Sequence, residues 1–186
     1  PRRGTLRTSR TGLPRLLLAL LAEHFDQLER DAVPRDQVRT HPVGVLRPCL
    51  ELLTLSGREI EHSMCMLVPP AYRNDNEISE DLYNFYQYHS SFAEPWDGPA
   101  GLVFTDGVKI CAGLDRNGLR PSRYAHFEDG LLYVGSEIGC IECDEMKAIA
   151  KGRLGPGQTM VANTATGELE LDREVKERLA KKAPYG

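Results

Sequence analysis

No lysine occurs in the first 48 residues, and no apolar run in the 186-residue chain is longer than the seven residues of Leu16–Ala22. A run that short does not span a bilayer, for which about 20 apolar residues are needed. Positive charge is not in excess either. The 23 Lys and Arg stand against 27 Asp and Glu, and the net charge of −4 gives no overall pull towards nucleic acid or an anionic membrane. Paired cysteines are also missing. Cys49, Cys65, Cys111, Cys140 and Cys143 form an odd set without the spacing of a disulfide framework. That points to a reducing compartment, the cytoplasm or, in a plant, a plastid. Cys140-Ile-Glu-Cys143 is a lone CxxC. Zinc needs four ligands, and no second CxxC or histidine pair follows, so no metal site is read here. Internal repeats and low-complexity tracts are absent as well.

What is present is a chain of ordinary globular composition, 41% apolar and 27% charged, long enough for one domain or a large piece of one. Its composition changes near residue 48. Residues 1–48 hold nine arginines, and all six lysines come later. "PRRGTLRTSRTGLPR" is basic, free of acids and rich in Ser and Thr, and the apolar Leu16–Ala22 follows it, a pattern compatible with a transit peptide or signal. A basic arm against nucleic acid is the other reading, without the interleaved aromatics that such arms carry. The chain does not begin with Met, so its true amino terminus is not in view. Within this stretch only residues 16–30 read as helix. Residues 33–48 carry three prolines and no clean period, and read as irregular.

Beyond residue 48 the pattern becomes regular. A short helix is expected over residues 49–57, closed by Gly57, and a second over 61–68, stopped by Pro69-Pro70. Ser79 is placed to cap a third, with Glu80 and Asp81 in its first turn. Leu82, Phe85, Tyr86 and His89 then recur at three and four residues and give it one buried face. From Gly101 the period becomes two. Strands over 101–105, 108–114, 122–127 and 131–136, joined by "DG", "DRNG" and "EDG" turns, read as an antiparallel meander. Residues 160–164 and 168–171 form a further hairpin across "TATG", and Asp172 caps a last helix to about residue 182. Helices followed by an antiparallel sheet make an α+β layered domain.

One corner of that meander carries the chemistry-bearing residues: Asp115-Arg116-Asn117-Gly118-Leu119-Arg120-Pro121. Asn-Gly marks a tight turn with positive φ at Gly118, and Arg120 before Pro121 is extended. An Asp115–Arg120 pair stapling a hairpin is the structural reading. Glu137, after Ser136 on the neighbouring strand, is the other acid in reach, expected to be buried and paired with Arg116 or Arg120. Trp96 and Asp97 are expected to anchor the loop below the first strand.

"EPWDGPAGLVFTDG" (94–107), "LDRNGLRPSRY" (114–124), "YVGSEIG" (133–139), "KGRLGPGQ" (151–158) and "KAPYG" (182–186) together resemble the large chain of glutamate synthase. The likeness is to the later half of its class II glutamine amidotransferase domain, and "LELLTLSGREIEHSMCMLVPPAY" (50–72) resembles the helices just before. It covers residues 49–186, and residues 1–48 do not share it. An asparagine-synthetase-like amidotransferase is the alternative within the class, disfavoured by "EPWDGP" and "KGRLGPGQ". A non-catalytic interaction module that keeps the sheet is the alternative outside it.

The resemblance implies part of an αββα sandwich of the N-terminal-nucleophile type. It also implies a parent enzyme that hydrolyses L-glutamine with an amino-terminal cysteine and passes ammonia to a domain making glutamate from 2-oxoglutarate. Partners implied are L-glutamine, the downstream synthase domains and a small reductase subunit, with neither nucleic acid nor membrane. FMN and an iron–sulfur cluster are implied for the downstream part and no cofactor for this chain. The first residue is Pro1, no cysteine is terminal, no "HNGE" loop occurs, and "HPVGVLRP" (41–48) stands where the family has an "SDS" segment. No residue of this chain is therefore assigned to catalysis or substrate binding, and the chain by itself is expected to release no ammonia. Asp115, Asn117, Gly118, Arg120, Pro121, Ser136, Glu137, Trp96 and Asp97 are assigned a structural role. Residues 1–48 read as an arginine-rich segment compatible with a shifted reading frame of GC-rich coding DNA, which overproduces Arg, Pro, Leu and Ala at the expense of Lys.

Overall fold

The computed structural model describes residues 42–137 and 144–186. Readings placed on residues 1–41, and on Cys140 and Cys143, lie outside the described residues. Among the described residues four α-helices, α1 (Pro42–Leu55), α2 (Ile60–Leu67), α3 (Glu80–Ser90) and α4 (Asp172–Ala180), accompany seven strands. The strands are β1 (Gly101–Thr105), β2 (Lys109–Leu114), β3 (Arg123–Phe127), β4 (Leu132–Gly135), β5 (Ala148–Arg153), β6 (Thr159–Asn163) and β7 (Glu168–Glu170).

Two antiparallel sheets result, one of four strands in the order β1-β2-β6-β7 and one of three in the order β4-β3-β5. Their facing sides share a core of Ala112, Leu114, Leu132, Val134, Leu154, Met160 and Ala162. The helices cover the other face of the four-stranded sheet. Leu46, Leu50, Met64, Cys65, Phe85, Tyr86, Val175 and Leu179 meet Leu102, Cys111 and Val161 there. This is an α+β arrangement in the layer order helix, sheet, sheet.

The third helix forms as its sequence dictates. The amide of Leu82 donates to Ser79 Oγ at 3.4 Å, and Phe85, Tyr86 and His89 lie on its buried face. Four expectations are corrected. Residues 42–48 are helical rather than irregular, because Leu46 and Leu50, one turn apart, bury an apolar face that outweighs the missing amide of Pro48. The meander is broken: β2 and β3 belong to different sheets, so the corner at 115–121 carries the chain from one sheet to the other instead of closing a hairpin. Strand β5 was not expected. Its Gly152 lies beneath the Tyr124 ring, where a Cβ would come within 2.5 Å of Cζ. Asp172 is the first residue of α4 rather than its cap, and its Oδ1 accepts from the amide of Thr159 at 2.8 Å.

Candidate functional site

The corner between the sheets is organised by the carboxylate of Asp115, which has no solvent exposure. Oδ1 accepts from the amide of Ala100 at 3.1 Å, and Oδ2 from those of Asn117 at 2.9 Å and Gly118 at 3.3 Å. Its backbone oxygen accepts from the amides of Gly118 at 3.1 Å and Gly157 at 2.8 Å. Residues 115–118 thus form a turn with Asp at the first position and Gly118, at φ 59°, at the fourth. Asn117 has no positive φ, so the Asn-Gly reading found the right place through the wrong turn class.

Against this corner lies the loop 154–158. A Cβ on Gly118 would come within 2.7 Å of Pro156, and one on Gly157, at φ 65°, within 2.6 Å of Pro70. Lys176 of α4 locks the loop from behind, its Nζ donating to the backbone oxygen of Gly157 at 2.8 Å and pairing with Asp172 at 2.6 Å. "DRNG" and "LGPG" are therefore two loops in mutual contact, pinned to one helix.

Asp97 closes the outer side. It pairs with the Arg116 guanidinium and accepts from Asn117 Nδ2 at 3.1 Å. Arg116 beside it, and the hydrogen bond from Asn117, hold its carboxyl below the usual carboxylate range. The backbone amide of Trp96 donates to the oxygen of Leu67 at 2.7 Å, and its side chain packs on the helical core and under Gly98.

Sequence and structure differ on the remaining residues. Arg120 and Pro121 are exposed and Asp115 accepts nothing from Arg120, because backbone amides already fill its acceptor sites. Ser136 and Glu137 follow β4, in the other sheet. Glu137 is exposed, not buried, and its backbone oxygen accepts from the Tyr133 hydroxyl. Arg120→Leu is accordingly expected to change stability by no more than about 0.5 kcal/mol, the usual range for a surface substitution. A loss of several kcal/mol in a urea melt would restore the buried-pair reading.

A second polar assembly lies in a cleft between the outer face of the four-stranded sheet and helices α2 and α4. Glu61, with no solvent exposure, accepts on Oε1 from Lys109 Nζ at 2.7 Å and Arg178 Nη2 at 2.9 Å. Arg178 also grips Glu170 with both Nε and Nη2, at 2.8 and 2.7 Å, and Glu59 at 2.9 Å. Lys182 reaches Glu59 at 2.6 Å. Burial raises the Glu59 carboxyl, but hydrogen bonds led by Lys182 outweigh it and hold the group well below its usual value. The fork from Glu170 holds the Arg178 guanidinium charged more firmly still. Three acids and three bases cancel, so the assembly bolts α2 and α4 to the sheet. Sequence reasoning missed it; an acid inside the apolar helix "IEHSMCML" was its one signal.

His62 and His89 touch through Nε2 at 2.9 Å, where one neutral ring donates to the other. Phe85, Tyr88, Phe92 and Tyr185 surround His89. Burial, reinforced by Lys182 and Arg58, pulls His62 down to about 4; burial, reinforced by His62 and Arg58, does the same to His89. Both folded values lie below the unfolded one of about 6.5. The unfolded chain therefore binds more protons between pH 6.5 and 4, and stability that is complete above 6.5 declines through that window as pH falls. Melting temperatures across it should fall less in the double variant His62→Gln, His89→Gln. An unchanged slope would rule the pair out as its source.

Among the described residues no thiol is poised for attack by proximity to a base. Cys65 and Cys111 are buried; burial pushes the thiol of Cys65 up to about 12 and raises that of Cys111 too. What the corner offers is fixed shape, with an acceptor-saturated carboxylate and two glycine turns.

The chain matches the family model of class-II glutamine amidotransferases over residues 20–186. The match begins inside the stretch 1–48 that the motifs left apart. It is 42% identical over 161 residues to the chloroplastic ferredoxin-dependent glutamate synthase 2 of Arabidopsis thaliana, covering 85% of the chain and 10% of the relative. Against the chloroplastic ferredoxin-dependent glutamate synthase of Oryza sativa subsp. japonica it is 46% identical over 139 residues, 73% of the chain and 9% of the relative. Against the NADPH glutamate synthase large chain of Bacillus subtilis it is 40% identical over 142 residues, 76% and 9%. The chain spans about a tenth of the length of the curated relatives it matches. No helix among the described residues is long and apolar enough to cross a membrane. With two antiparallel sheets face to face, helices on one of them, and a family match running from residue 20 to the last, the chain belongs to the class-II glutamine amidotransferases.

Proposed function

We propose that this chain is the later part of the glutaminase domain of a glutamate synthase large chain. In that parent, water and glutamine give glutamate and ammonia, and ammonia, 2-oxoglutarate, two electrons and two protons give a second glutamate and water. The observation that carries the reading is the identity of 40–46% to glutamate synthases named for two different electron donors, ferredoxin and NADPH. A segment shared by both kinds is not the part that selects the electron donor, and its match to the class-II glutamine amidotransferases supports the use of glutamine as its step. The stacked loops at 115–118 and 154–158 support it, since their work is to hold strand ends rigid, and a reacting amide must be held within about 3–3.5 Å of its nucleophile.

In this reading the nucleophile comes from another part of the parent polypeptide, as do FMN and the iron–sulfur cluster with their redox chemistry. Among the described residues no group of three or more His, Cys, Asp or Glu side chains is placed to hold a metal ion. The chain's own contribution is positional: Asp115, Gly118 and Gly157 fix the corner, and Lys176 holds it to α4. L-Glutamine is the proposed substrate, with the downstream synthase domains and a reductase subunit or ferredoxin as partners. The test is to express the longest polypeptide that carries these residues and supply glutamine, 2-oxoglutarate and a reductant. Two glutamates per glutamine are expected. Glutamine consumption that requires aspartate and ATP and yields asparagine would move the chain to the asparagine-synthetase-like class. No glutamine consumption under either condition would leave a non-catalytic module.

A further inference from the structure

Arg123 of β3 and Arg153 of β5 are direct cross-strand partners, and both are exposed. Side chains of directly paired residues stand on the same face, with Cα atoms about 5 Å apart. Like charges facing each other in this way destabilise a sheet. Among the described residues that cost is not relieved, for no acid there forms an ion pair with either arginine. Arg120, exposed and three residues before Arg123, is unpaired in the same way. Glu137 is exposed two residues beyond Gly135, the other cross-strand partner of Arg123, yet it pairs with none of the three. On the helical side the chain does the opposite, matching Lys109, Arg178 and Lys182 with Glu59, Glu61 and Glu170.

We propose that Arg123 and Arg153, with Arg120 beside them, form a docking site for an acidic segment of polypeptide, whose carboxylates occupy the guanidinium forks. Arginine suits that partner because its planar fork meets a carboxylate through two parallel hydrogen bonds. Two forks on adjacent strands close on acids that are near neighbours in one segment. Nucleic acid fits less well. It is held by a broad positive field over many phosphates, and three arginines on a chain of net charge −4 do not supply one. An anionic partner also removes the defect noted above, since it turns two facing like charges into two neutralised ones.

The test uses the full chain and a fluorescent hexaglutamate peptide carrying a benzophenone, with anisotropy and cross-link mapping in low salt. Cross-links are expected in residues 119–124 and 149–154. Affinity should fall at least tenfold when Arg123→Glu and Arg153→Glu are combined. Arg123→Glu alone should weaken the peptide while leaving the melting temperature equal or slightly raised, because opposite charges then face each other across the strands. Cross-links confined to the arginine-rich residues 1–48, or an affinity unchanged by the double substitution, would overturn the proposal. So would a single-stranded RNA of equal charge that binds more tightly at the same arginines. A marked fall in melting temperature in the single variant would assign the arginines to the fold instead.

Discussion

Asp115→Ala is expected to destabilise the domain by about 3–5 kcal/mol, the largest loss open to a single side chain at the corner. Its carboxylate has no solvent exposure and accepts from the amides of Ala100, Asn117 and Gly118. Hydrogen bonds to a charged group contribute about 1.5–3 kcal/mol each, and a buried donor left unpaired costs about 1–3 kcal/mol. Gly118 retains the backbone oxygen of residue 115 as a second acceptor, whereas no other acceptor for the Ala100 amide appears. Two amides rather than three therefore lose their partner. Asp115→Asn should cost less, about 2 kcal/mol, since one oxygen still accepts while the new amide group faces a donor. Denaturant melts of both variants in the parent polypeptide, beside glutamine hydrolysis, check this. Full stability with abolished hydrolysis would mean that Asp115 acts in the chemistry and not in the fold.

That contrast with Arg120, for which almost no loss is expected, shows where the sequence was legible. Local signals with a local cause read correctly. Ser79 caps α3 because its hydroxyl meets an amide three residues on, and the spacing of Phe85, Tyr86 and His89 turns them to one side of the same helix. The β1–β2 and β6–β7 hairpins followed from alternation and from "DG" and "TATG" turns. Partners chosen over long separations did not. An acid and an arginine five residues apart invite a pair, yet Asp115 is satisfied by the amide of Ala100, just before β1, and by its own turn, which only the fold brings together. Strand β5, "AIAKGR", has too few β-branched or aromatic residues to announce itself, and its glycine is there to admit the Tyr124 ring. The assembly around Arg178 draws on residues 59, 61, 170 and 178, each unremarkable in its own neighbourhood.

Gly118→Val should be comparable in size, and it carries two separable costs. At φ 59° the backbone lies in the left-handed region, which for a β-branched residue costs about 1–3 kcal/mol. Space is the second cost. A Cβ there would stand 2.7 Å from Cγ, 2.9 Å from Cα and 3.0 Å from N of Pro156, and two of those atoms are backbone that cannot swing aside. Overpacking of that kind adds about 1–3 kcal/mol, so a total of about 2–6 kcal/mol is expected. For a domain of this size each kcal/mol lowers the melting temperature by about 2–4 °C. Gly118→Asn separates the two, because asparagine tolerates positive φ but carries the same Cβ. If the contact with Pro156 dominates, the asparagine variant stays nearly as unstable as the valine one. Pro156→Gly in the same background should then restore part of the loss by withdrawing the ring and giving the loop room. If the asparagine variant recovers most of the stability and Pro156→Gly adds nothing, the two loops are neighbours without being clamped. The joint role given to "DRNG" and "LGPG" would then fail.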